Sequence, residues 1–267
     1  RNMGFRFDTG PSVLTMPFIF EELFEFAGYK LSDFLELQTV EPTARNFFSK
    51  DEYVDVFSDV EKFQKELRKL SESDAQNLNK YIEHTKKIYD NSADIFLYEP
   101  LHEVKELYKR NKIPSLLNFR HIDAFNTVHS ANKKFFKNEK IIKIFDRYAT
   151  YNGSNPYVAP GTLNIIPYVE IGLGCYYIKG GIYKLIEAVC KVLDYKGVGE
   201  IKHANVQKIL QKNNKIIGIK VNNQVIEYDY VICNSDVIES YSSLIDGYDR
   251  KRKSLSKLEP SLSGMVF

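Results

Sequence analysis

The chain has 267 residues, 43% of them hydrophobic, with a net charge of +2 and charged residues of both signs making up 27%. That is enough apolar material for one large or two smaller folded domains, and the near-neutral balance excludes the one-sided basic surface that a nucleic-acid binder needs. Three scattered cysteines and five histidines without ligand spacing exclude a disulfide framework and a metal cluster; no run of ~18 apolar residues is present to span a bilayer and the opening residues carry no signal-peptide pattern, so a reducing, cytoplasmic location is expected.

In chain order, the first informative segment is Gly4-Phe5-Arg6-Phe7-Asp8-Thr9-Gly10-Pro11-Ser12, followed by Val13-Leu14-Thr15-Met16-Pro17. Alternating Phe5 and Phe7 predict a short strand, Gly10-Pro11 a sharp turn, and Pro17 the opening of a helix. The helix runs from Phe18 to Ala27, with Glu21, Glu22 and Glu25 on one side and Ile19, Leu23 and Phe26 turned away from them; Gly28 stops it. Short strands are expected at 35–40, 45–48 and 53–57. Helices then take over: Val60, Phe63, Leu67 and Leu70 share a face, Ser71-Glu72-Ser73-Asp74 has the spacing of a capping box, and a long helix follows over 75–97.

Glu99-Pro100 breaks that run. The next stretch, 103–112, is a charged helix carrying Lys105, Lys109, Arg110 and Lys112. Its plain reading is a solvated face; the sharper one is an interfacial patch on anionic lipid, with Leu101, Leu107, Tyr108, Leu116, Leu117 and Phe119 dipping in. Further helices are expected over 122–136 and 140–151, then a loop at Asn152-Gly153-Ser154-Asn155-Pro156 and an apolar stretch from Thr162 to Ile171 interrupted by Pro167.

The most organised part is 174–236. A strand ends at Gly180-Gly181, and Ile182, Leu185, Ile186, Val189 and Leu193 then recur at helical steps. Gly197 and Gly199 mark the exit, and β-branched residues dominate a meander whose turns fall at Asn213-Asn214 and Asn222-Asn223, because Asn tolerates the left-handed conformation that tight hairpins require. A closing strand is expected over Tyr230–Asp236. By itself, a Gly-Gly turn into a helix is most simply a structural turn.

Taken together, the Gly-Phe-x-Phe-Asp-x-Gly-Pro-Ser segment, the Lys179-Gly180-Gly181 turn and the meander resemble the bacterial carotenoid (phytoene-type) desaturases of the flavin-dependent, amine-oxidase-like superfamily. The resemblance implies a mixed α/β (α+β) fold: part of an FAD/NAD(P)-binding Rossmann-like domain with a large, mostly helical substrate-binding insertion carrying a small antiparallel sheet. On that reading 1–16 and 174–247 belong to the FAD-binding domain, 17–173 to a membrane-facing substrate domain, and 248–267 return to the substrate-domain sheet. It also implies FAD as cofactor, with Asp8, Gly10, Pro11 and Ser12 beside the flavin ring and Val206 on the adenine side; a long apolar polyene as substrate, without nucleic acid; peripheral association with the cytoplasmic face of a membrane; and Glu103 or Glu106 for the proton that desaturation releases.

The Thr15-Met16-Pro17 that follows the motif looks closer to desaturases of hydroxylated or shorter carotenoids. No Gly-x-Gly-x-x-Gly occurs, and Gly172-Leu173-Gly174 does not open a helix, so the chain is expected to be an internal part of a longer protein that carries the nucleotide-binding motif upstream. The implied alternatives are a carotenoid isomerase, a retinol saturase-like enzyme and, in a different class, a non-catalytic lipid-binding module on a degenerate flavin fold.

Overall fold

The structure is a computed structural model, and it describes residues 10–96, 122–213 and 215–258. The chain divides into two compact units, one reaching to Val192 and the other beginning at Leu193. Both are mixed helix and sheet, and every sheet is small and antiparallel.

In the first unit a three-stranded sheet is built from β1 (Leu14–Thr15), β2 (Leu37–Thr39) and β5 (Cys175–Ile178), with β5 in the middle. Leu14 pairs with Tyr176 and Leu37 with Ile178, so two distant stretches of sequence are stitched onto one central strand. Helix α1 (Phe18–Phe26) packs here through Phe24, which shares a core with Leu31, Leu35, Ile178, Leu185 and Ala188. The spacing had suggested Leu23 and Phe26 for this face. Phe26 instead stands 92% exposed, and the buried face is the i, i+4 pair Phe20 and Phe24.

The larger core of this unit is helical. The hairpin of β3 (Ala44–Phe47) and β4 (Tyr53–Val56) contributes Val54 and Val56; α2 (Val60–Arg68), α3 (Glu72–Phe96) and α5 (Glu139–Asp146) contribute Phe63, Leu67, Leu78, Tyr81, Ile141 and Phe145. Tyr81 lies 4.5 Å from Phe145 and 5.1 Å from Phe136 between ring centroids, offset arrangements that add to simple burial. Its hydroxyl donates to Asn132 at the end of α4 (Val128–Asn132), and Asn132 in turn donates to Asp146 at 2.8 Å.

Helix starts follow the local chemistry: Asp59 accepts from the Lys62 N–H and Asn138 from the Lys140 N–H. The expected capping box at the head of α3 is only half formed. Ser71 accepts from the Asp74 N–H, but the Asp74 carboxylate caps the backbone N–H groups of Lys137 and Asn138 at 2.9 and 2.7 Å instead. The helix expected over 122–136 is mostly turns leading into the five-residue α4.

The boundary between units falls in the last turn of α6 (Tyr183–Tyr195). The glycine pair before it has φ of +89° and +95°, as the expected turn requires. The buried stripe of α6 is Leu185 and Ala188 with Ile182, Val189 and Val192 beside them, while Ile186 and Leu193 face outward.

In the second unit β6 (Val206–Lys212), β7 (Lys215–Val221) and β8 (Gln224–Glu227) form the expected meander. Val221 pairs with Gln224 across a two-residue loop in which Asn222 and Asn223 both have positive φ, +47° and +64°, the geometry that matches strand twist. The closing strand expected over Tyr230–Asp236 is absent: among the described residues this stretch pairs with no strand, and Tyr230 and Ile232 are 90% and 96% exposed. Alternating apolar residues favour a strand, but a strand requires a neighbouring backbone to pair with.

Candidate functional site

In the first unit a cavity of about 530 Å³ opens between β1, α1, β5 and the start of α6. Most of its wall is apolar: Pro11, Val13, Leu14, Phe20, Cys175, Ile182 and Leu185. Besides Thr15 on β1, the polar lining residues are Thr43, Tyr151 and Glu170, which converge at one place. An apolar pocket with a few convergent polar groups is the usual form of a small-molecule site.

Glu170 is the centre of that polar corner and is 4% exposed. It sits in a π-helical turn, Tyr168–Gly172, that follows Pro167 and leads into β5. Such turns push one extra residue out of register and often carry functional side chains. The turn also needs its terminal glycine, because a Cβ on Gly172 would collide with the Tyr168 ring.

The two carboxylate oxygens of Glu170 are unequal. Oε1 accepts from the Tyr148 hydroxyl at 2.9 Å and from Arg147 Nη2 at 3.3 Å, and the Thr43 hydroxyl, 3.4 Å away, shares its single proton between Oε1 and the Val56 carbonyl at 3.2 Å. Oε2 accepts from the Tyr151 hydroxyl at 2.5 Å. Two donors and a shared third crowd one oxygen and one serves the other, so the capacity left over for a further partner lies on Oε2.

Burial pushes the Tyr151 phenol up to about 12, helped by its bond to Glu170, and also pushes the Tyr148 phenol well above its ordinary value. Both therefore stay protonated and donate to the carboxylate. Burial, with Glu170 nearby, also raises the Cys175 thiol to about 12, which keeps it an unreactive wall residue.

Of the residues suggested by the sequence, Gly10, Pro11 and Ser12 form an exposed strip leading into β1, and Pro11 lines the cavity. Val206 opens β6 in the second unit, paired with Val221. Asp8, Glu103 and Glu106 lie outside the described residues. Glu170, Tyr148 and Tyr151 were not foreseen, although a signal was there: Glu170 is the one charged residue in the apolar stretch from Thr162 to Ile171. Among the described residues no group of three or more His, Cys, Asp or Glu side chains is placed to hold a metal ion, and no helix is long and apolar enough to cross a membrane.

No family model matches the chain. Individual relatives do. The chain is 33% identical over 265 residues to a 1-hydroxycarotenoid 3,4-desaturase from a Flavobacterium species, covering 99% of this chain and 54% of the relative. It is 32% identical to a 4,4'-diapolycopene oxygenase from a Methylomonas species, covering 98% of this chain and 53% of the relative. A 4,4'-diaponeurosporene oxygenase from Staphylococcus haemolyticus is 29% identical over 98% of the chain and 52% of its own length.

The resemblance to carotenoid desaturases is thus borne out, and the narrower likeness to enzymes of hydroxylated carotenoids agrees with the first of these names. The chain spans about half the length of these relatives. A crystal structure of an oxidoreductase from Methanosarcina mazei overlaps 73% of this chain and 40% of its own at a TM-score of 0.45 and 18% identity, a likeness too low to bear on function.

Proposed function

We propose that the whole protein is a flavin-dependent oxidoreductase of carotenoids that introduces a conjugated double bond into a long polyene. The observation that carries this reading is the mainly apolar cavity, with Pro11 in its wall and the Glu170 carboxylate in its lining, in a chain similar along nearly its whole length to carotenoid-modifying enzymes. On this reading 1–16 and 174–247 are parts of a Rossmann-like FAD-binding domain, 17–173 is the substrate domain and 248–267 rejoin its sheet.

The residues suggested for the flavin suit a flat ring. Gly10 to Val13 are exposed, and no described residue lies within 4 Å of where a Cβ on Gly10 would stand, so packing among the described residues does not call for a glycine there. Asp8, Gly10, Pro11 and Ser12 would hold the ring and Val206 the adenine side. Bound FAD supplies the two-electron acceptor. The protein's own share is to exclude water, to seat an apolar chain against Val13, Leu14, Phe20, Ile182 and Leu185, and to take up one proton. Residues 101–119, basic and apolar by turns, would rest on an anionic membrane where such a substrate dissolves; among the carboxylates there, Glu103 and Glu106 remain candidates for the proton.

A second reading follows from the relatives named as oxygenases: the same scaffold oxidising a carbon of the polyene with an oxygen atom. Product masses from the full-length protein and several polyenes distinguish the two. Loss of two hydrogens supports desaturation, gain of oxygen supports the second reading, and an unchanged mass overturns both in favour of isomerisation. A full-length protein without flavin absorbance overturns the cofactor assignment.

A further inference from the structure

We propose that Glu170, in place of Glu103 or Glu106, is the group that takes the proton from the polyene, and that the Tyr151 hydroxyl passes it on to solvent. The assignment rests on the flavin-dependent reading above and deepens it. Among the described residues Glu170 is the only acidic one in the lining of the cavity, Pro11 of the flavin strip stands in the same wall, and Oε2 is the carboxylate oxygen with acceptor capacity to spare. Tyr151 is bonded to that oxygen at 2.5 Å and is itself exposed on one side, so an O–H···O path leads from the cavity to water.

The chemistry balances. One C–H bond of the substrate breaks with its electron pair leaving as hydride to oxidised flavin, which becomes reduced. The neighbouring C–H bond breaks with its pair forming the second bond of the new C=C, and its proton goes to Glu170 Oε2. After hydride loss the substrate is an allylic cation, whose adjacent hydrogen is strongly acidic. What such a step requires is a correctly placed acceptor more than a strong one, and a carboxylate held by Tyr148, Arg147 and Thr43 is well placed. The same negative oxygen, in an apolar surround, opposes the developing positive charge.

The test uses the full-length, FAD-loaded protein and a carotenoid hydrocarbon, following flavin bleaching in a single anaerobic turnover. A wild-type protein that holds no flavin, or whose flavin does not bleach, overturns the underlying reading and the assignment with it. Where wild type bleaches, Glu170→Gln is expected to slow bleaching by about 100-fold or more, with flavin content, thermal midpoint and polyene binding by tyrosine fluorescence quenching unchanged. Bleaching within about threefold of wild type overturns the assignment.

If Glu170→Gln loses its flavin or its fold, Tyr151→Phe decides. It removes one oxygen, and kcat falls about 10-fold with KM unchanged if the proton leaves this way. An unchanged kcat, or a change in KM alone, overturns it.

Discussion

Asp123 adopts a left-handed backbone conformation, φ +55°, and gathers four partners: His84, Lys134 and the Asn126 side chain on its carboxylate, and the Asn126 N–H on its carbonyl. The bond to His84 is the largest of the effects that hold its carboxyl down near 2 against an ordinary 3.8. A carboxyl depressed in the folded state contributes stability that is complete above the unfolded value and drains away as pH falls through the folded one. Asp123→Asn is therefore predicted to lower the thermal midpoint near neutral pH and to flatten its decline between about pH 4 and pH 2; calorimetry across that window checks it, and an unchanged slope contradicts it. At this scale the sequence was partly legible. The core positions of α2, Phe63 and Leu67, could be read from spacing, whereas Phe24 displaced Leu23 and Phe26 because the sheet approaches α1 from the side that periodicity alone cannot choose. Glu170 was visible as a lone charge, but its role depends on Thr43, which lies 127 positions away in sequence.

Turns and termini were the most legible elements, because their chemistry is local. The Asn222-Asn223 hairpin, the glycine pair before α6 and the short strands β2, β3 and β4 all stand where turn residues and alternation place them. The Tyr168–Gly172 π-helical turn was not legible, since Pro167 and an apolar run fit many conformations. It is also the element on which the site's geometry hangs. A methyl group at Gly172 would have to displace the Tyr168 ring, itself packed against the Tyr89 ring at 5.2 Å between centroids. Gly172→Ala is predicted to cost about 1–3 kcal/mol through overpacking and, on the proposed function, to slow flavin bleaching in the full-length protein by shifting Glu170. Chemical denaturation and single-turnover bleaching measured on the same variant check both, and a variant of wild-type stability would show that the ring moves freely.

For the molecule as a whole, the governing fact is that the chain spans about half the length of its relatives. The second unit carries exposed apolar side chains: Tyr230 and Ile232, with Val225 in β8 and Tyr228 just after it. Large exposed apolar side chains promote association. The 267-residue chain alone is predicted to self-associate with rising concentration, and Ile232→Lys to reduce that association, as light scattering will report. A variant that associates as wild type does would place the contact elsewhere. This part of the fold resisted sequence reading for the same reason: the alternation in Tyr230–Ile232 declares a strand, and the partner that would make it one is not among the residues described.

Cys175 links these scales in a practical way. Its sulfur is buried in the cavity wall, donates weakly to the Glu170 carbonyl and is held in the thiol form, while Cys233 stands in the open with hydroxyls of Ser235 and Ser240 drawing its titration downward. An alkylating reagent should consume Cys233 readily and reach Cys175 only when the pocket breathes. The chain thus has a native stopwatch: the lag before Cys175 is labelled times the opening of the chamber, and anything lodged inside should lengthen it.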